Sequence, residues 1–128
     1  MGRCIIKLGD RFMEWSSISD APHTPLLTEE QFLVYWRQEY GRARWHELGE
    51  CLTRAKQNGS SYGTVDSILK NNRAGKKDRK LTKKEIIAAF TVENQAEFEE
   101  WSKRKDEYAE KQLREYTEIF LERNSKTT

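Results

Sequence analysis

The sequence predicts an α+β domain in which an N-terminal β-hairpin packs on about four helices, the last of them long and amphipathic. Three observations carry that expectation. Residues 4–8 and 11–18 alternate about Gly9-Asp10, two capping boxes precede apolar helical runs, and residues 94–123 contain neither proline nor glycine.

Gly9-Asp10 suits the tight turn of a hairpin. On the second strand Phe12, Glu14 and Ser16 share one face and Met13, Trp15 and Ser17 the other, so Trp15 is expected beside Met13. Residues 19–25 (SDAPHTP) hold both prolines and read as a loop. Thr28 then caps a first helix, with Gln31 completing the box and Leu27 placed to staple against Phe32. This helix is expected to run to about Tyr40, stop at Gly41, and bury Phe32, Val34 or Tyr35, Trp36 and Tyr40. A second spans residues 43–57, with Trp45, Leu48, Leu52 and Ala55 as its apolar stripe and Asn58-Gly59 as its stop. The two should pack as an antiparallel pair. Thr64 caps a short helical turn carrying Val65, Ile68 and Leu69, which leads into the turn NNRAG at 71–75. Leu81, Thr82, Glu85 and Ile86 form the second box and staple, opening another helix. Beyond it Phe98, Trp101, Tyr108, Leu113, Tyr116, Ile119 and Phe120 recur at helical spacing. A helix over residues 94–123 would span roughly 45 Å at about 1.5 Å per residue, more than a compact domain of this size accommodates. Lys105 and Gln112 break its seam, so it is expected to pack on its own body and on a second subunit, not as an ideal coiled coil.

The 128 residues support one domain, with 91–128 as a helical C-terminal extension. A mean hydropathy of −0.94 leaves four Trp, five Tyr and five Phe to supply much of the buried area. No apolar run reaches a membrane span or a secretory signal, so a soluble, cytoplasmic protein is expected. Cys4 and Cys51 stand apart, outside any CxxC, and read as reduced thiols. The net charge of +2 divides unevenly: residues 1–90 hold 16 basic and 11 acidic side chains, residues 91–128 hold 7 and 10. A basic body favours an anionic partner, and the acidic tail of one subunit could lie against the body of another.

Catalytic and metal chemistry find little support. His46 and Glu50 stand i, i+4 on a helix, the spacing of an ordinary surface ion pair. His23 has only Asp20 nearby in its loop, and the histidines and cysteines lack zinc spacing. Neither phosphate-loop nor dinucleotide-binding glycine motifs occur, so no catalytic residue, metal or cofactor is expected.

The richest segment is 58–84, where glycine-punctuated turns carry eight Lys/Arg against two acids. Lys70, Arg73, Lys76, Lys77, Arg79, Lys80, Lys83 and Lys84 would draw phosphates, or else form a solvated, mobile linker. No nucleic-acid-binding signature accompanies them and the tail is acidic, so nucleic acid is not the expected partner. A small nucleotide-like ligand fits better: it needs a stacking face, an amide and a guanidinium, and Tyr62, Asn72 and Arg73 offer one of each. Equally, Asn72 could serve a left-handed turn, while Tyr62 and Trp15 could serve the core. Arg37, beside Trp36 on the first helix, should be exposed, facing ligand, partner subunit or water.

The hairpin with MEWSSISDAP (13–22), the helix ending in EYGR (39–42), and NRAG (72–75) followed by LTKKEI (81–86) resemble the phage anti-Thoeris sponge family. The resemblance covers roughly residues 4–90. It implies a non-enzymatic, phage-encoded protein in the host cytoplasm, capturing the cyclic ADP-ribose signal made by a Toll/interleukin receptor-type defence enzyme. It further implies homo-oligomers and ligand contact by an aromatic and an asparagine ten residues apart, a spacing Tyr62 and Asn72 keep. Some members of that family hold cyclic oligonucleotides at a separate arginine-lined site, which Arg37 would match. On this reading Arg73 and the amides of the Gly75 turn take the pyrophosphate, and Tyr62 or Trp15 stacks on the base. Asn72→Ala would then abolish binding and spare the fold. The other reading is a phage or plasmid protein inhibiting a host or defence protein directly, through the basic segment or the long helix.

Overall fold

The computed structural model describes residues 2–104 and has the expected α+β architecture. Strands β1 (Arg3–Leu8) and β2 (Arg11–Ser16) form the hairpin, paired from Arg3 with Ser16 to Leu8 with Arg11. Gly9 closes the turn at φ 64°, the left-handed region open to glycine. A short β3 (Ala21–Pro22) pairs antiparallel with β2 and lies inside the segment expected to be a loop. Proline is tolerated there because it sits on the edge strand.

Among the described residues five α-helices follow: α1 (Glu29–Tyr40), α2 (Trp45–Asn58), α3 (Val65–Leu69), α4 (Lys83–Phe90) and α5 (Gln95–Arg104). Both capping boxes form as expected, Thr28 with Gln31 and Thr82 with Glu85. Gly59 ends α2 in the left-handed conformation and its N–H returns to Ala55. The long terminal helix is described only as α5. Its expected course to residue 123 and its subunit contacts lie outside the described residues. Within α5, Phe98 and Trp101 are buried in the main body.

The sheet is covered on both faces. Met13 and Trp15 point into one cluster with Ile6, Leu81, Ile86 and Phe90, as the strand alternation required. Phe12 points into a second cluster with Phe32, Tyr35, Trp36, Leu48 and Trp101. Residues 12–16, alternating along β2, therefore all become buried, including Glu14 and Ser16, because helices pack on either side. Extended segments lengthen the sheet: Lys7 N donates to Gly59 O, Ser61 N to Ile5 O, and Phe12 exchanges both backbone bonds with Leu27.

Candidate functional site

A surface depression of about 390 Å³ opens at the C-terminal end of α1, and among the described residues Arg37, Arg42 and Trp45 line it. Local geometry gathers these three from a short stretch of chain. Arg37 occupies the last turn of α1, where a cation complements the helix dipole. Gly41 then takes φ 67°, ψ −165°, a conformation closed to most side-chain-bearing residues, and turns the backbone sharply into the 3₁₀ turn Arg42–Arg44. Trp45 begins α2 directly afterwards.

Arg44 clamps this turn from its surface. Its guanidinium lies 4.3 Å from the centroid of Tyr40 and 5.0 Å from that of Trp36, and it donates two hydrogen bonds to Glu47. Trp36 Nε1 donates to the carbonyl of Arg44. Arg44 is thus engaged with these rings and with Glu47, its side chain still 41% exposed, whereas Arg42 and Trp45 face the depression. Neither Arg37 nor Arg42 makes a side-chain hydrogen bond or ion pair among the described residues, and Trp45 is 47% exposed. Two uncommitted guanidiniums beside an open indole can grip an anion and stack on a flat ring.

The clamp rests on a buried polar network. Glu14, 2% exposed, accepts hydrogen bonds from the phenols of Tyr35 at 2.6 Å and Tyr40 at 2.8 and 2.9 Å. Arg3 donates to the Tyr40 oxygen, with a guanidinium nitrogen 3.8 Å from Glu14, and His23 Nε2 stands 3.9 Å from the same carboxyl oxygen. Burial, reinforced by Glu14, pushes both phenols above their ordinary range, so they remain hydrogen-bond donors near neutral pH. Tyr40 therefore presents a fixed ring face to Arg44.

The residues expected to touch ligand are placed differently. Asn72 is buried, and its side chain is fully used: Nδ2 donates to Leu69 O and Leu81 O at 2.8 Å each, while Oδ1 accepts from Leu81 N at 2.9 Å and Ala74 N at 3.3 Å. Two donors and two acceptors are the capacity of a carboxamide, so this amide holds the loop and has none left for a ligand. Trp15, 1% exposed, offers no face for stacking. The Gly75 N–H is likewise spent on Arg79 O, and a Cβ at Gly75 would lie 2.8 Å from that oxygen. Arg73 is exposed but paired with Asp78 at 3.0 Å, and its backbone N–H joins Asp20 O. Tyr62 is 80% exposed. None of these five lines the depression; Arg37 does.

Arg42 and Trp45 are hard to read from sequence as site residues, because Trp45 matches the apolar spacing of α2 and so counts as part of its buried stripe. The pattern RARW immediately after a glycine is the available signal. Comparison with protein-family models, curated proteins and solved structures yields no match.

Proposed function

We propose that this chain binds a small anionic, ring-bearing ligand of the cyclic ADP-ribose kind and sequesters it without cleavage. The observation carrying this reading is the depression in which Arg37 and Arg42 stand unpaired among the described residues beside the exposed indole of Trp45. Its volume of about 390 Å³ falls within the range of small-ligand sites. Guanidinium and indole groups bind and orient but exchange no protons near neutral pH, which suits capture more than turnover. The sponge resemblance supports the same class of ligand, action in the host cytoplasm and a homo-oligomer, and it keeps Arg37 in the site. Asn72, Gly75 and Trp15, whose polar groups or faces are already occupied, drop out of the proposed contact set, while the exposed Tyr62 and Arg73 lie outside the depression.

Differential scanning fluorimetry with cyclic ADP-ribose isomers and linear ADP-ribose tests this, followed by heating the complex and chromatography of what is released. A ligand at a hundred times its Kd adds about 2.7 kcal/mol to the folded state, a rise of roughly 8–12 °C in Tm for a domain of this size. Arg37→Ala and Arg42→Ala should each weaken binding by about 10- to 100-fold, the worth of one charge-assisted hydrogen bond. Absence of any shift at millimolar ligand would refute the proposal and favour direct inhibition of a protein. Altered ligand on release would make the protein an enzyme.

A further inference from the structure

The basic segment following Asn72 is held in shape by unusually specific contacts. Asn72 ties Leu69, Ala74 and Leu81 together, so both ends of the loop are fixed from its base. Gly75 N–H closes onto Arg79 O at 2.8 Å, in a space that admits no Cβ, and Arg79 N–H closes onto Lys76 O at 3.1 Å. Lys77 and Asp78 adopt φ of 55° and 63°, uncommon for residues bearing side chains. Strained backbone retained at an exposed tip points to a use for the tip's geometry.

What the tip presents is cationic. Lys77, Lys80, Lys83 and Lys84 are exposed and make no ion pair or side-chain hydrogen bond among the described residues, whereas Arg73 and Arg79 are paired with Asp78 and Glu85. Lys83 and Lys84 are the first two residues of α4, next to the positive end of its dipole, where cations oppose helix stability. Between residues 76 and 84 the only large apolar side chain, Leu81, is buried. A surface of unpaired ammonium groups with no apolar centre lacks what protein interfaces are built around and has what a phosphate backbone requires.

We propose that the loop and helix start spanning residues 76–84 form a preorganised, sequence-independent contact surface for the phosphate backbone of nucleic acid. None of these residues lines the Arg37 depression, so the surface is separate from it. The absence of a recognition motif agrees with a contact that reads charge and not bases.

Fluorescence anisotropy with a labelled oligonucleotide of about 20 nucleotides, as single strand and as duplex, tests the surface at about 50 and 200 mM KCl. With four phosphates contacted, affinity should fall about a hundredfold across that range and show no preference between sequences. The triple variant Lys77→Glu, Lys80→Glu, Lys84→Glu, checked for an unchanged Tm, should lose at least about tenfold in affinity, with its log–log salt slope shallower by about 2 to 3. A parallel triple Lys→Gln variant guards against a folding effect of charge reversal. Equal binding by parent and triple variants, or no binding at the lower salt, would overturn the proposal. Capture of poly-L-glutamate in preference to oligonucleotide would also overturn it and assign the surface to acidic proteins.

Discussion

Replacing Asn72 with alanine separates a structural role from a ligand role. Truncation removes four hydrogen bonds made by one buried side chain and leaves two carbonyls and two N–H groups of the loop base without those partners. At about 1 kcal/mol each, with some relief from entering water, the loss amounts to roughly 3–4 kcal/mol. That is a large share of the roughly 5–15 kcal/mol typical of a domain and should lower Tm by about 10–15 °C. Asn71→Ala is the control, because Asn71 is exposed in the same turn and should change stability by less than about 0.5 kcal/mol. Urea denaturation with matched thermal scans supplies both numbers. In the folded fraction, affinity for a ligand held by Arg37 and Arg42 should be unchanged. An Asn72→Ala protein with parental Tm and abolished ligand binding would refute the reasoning and return the amide to the site.

Further expectations concern the polar network and the loop. Glu14→Ala strips the acceptor from two phenols and should destabilise by about 3 kcal/mol, whereas Tyr40→Phe should cost about 1–2 kcal/mol and lower ligand affinity by loosening the support of Arg44. Calorimetry of the variants with and without ligand distinguishes the two effects; an unaffected affinity in Tyr40→Phe would remove Tyr40 from the support of the site. Gly75→Ala should destabilise by about 1–3 kcal/mol, since the new Cβ meets the Arg79 carbonyl at 2.8 Å as well as the buried Leu81 Cδ2 at 2.9 Å, and a neutral result in thermal melts would contradict the close approach of Arg79 O to that position. Alkaline pH should weaken the fold. Burial pushes the Cys4 thiol up to about 11, so its contribution is intact below 9.0 and is lost as pH rises from there to about 11. The raised phenols of Tyr35 and Tyr40 add a further loss above about 10, and a Tm that held constant from neutral pH to about 10.5 would contradict this.

The features legible in the chain alone are those that short-range chemistry decides. The hairpin turn at Gly9, both capping boxes, the stop at Gly41 and the pairing of Met13 with Trp15 on one sheet face each depend on residues within a few positions of one another. Their physical causes, a left-handed glycine, a hydroxyl reaching an N–H three residues on, a period of two, are complete within the local chain. Tertiary packing decided the rest. Alternation places Glu14 on the face of Phe12, but only helices packed on both sides of β2 make that carboxylate buried. Asn72 has the same turn preference whether its amide meets a ligand or Leu81, nine residues away, and only the closing of the loop chooses between them. Trp45 keeps the spacing of a buried stripe yet stays half open, at the start of α2, while Leu48, Leu52 and Ala55 of the same stripe are buried. Exposure and hydrogen-bond saturation are properties of what a residue is packed against, and those neighbours lie too far along the chain for spacing to reveal.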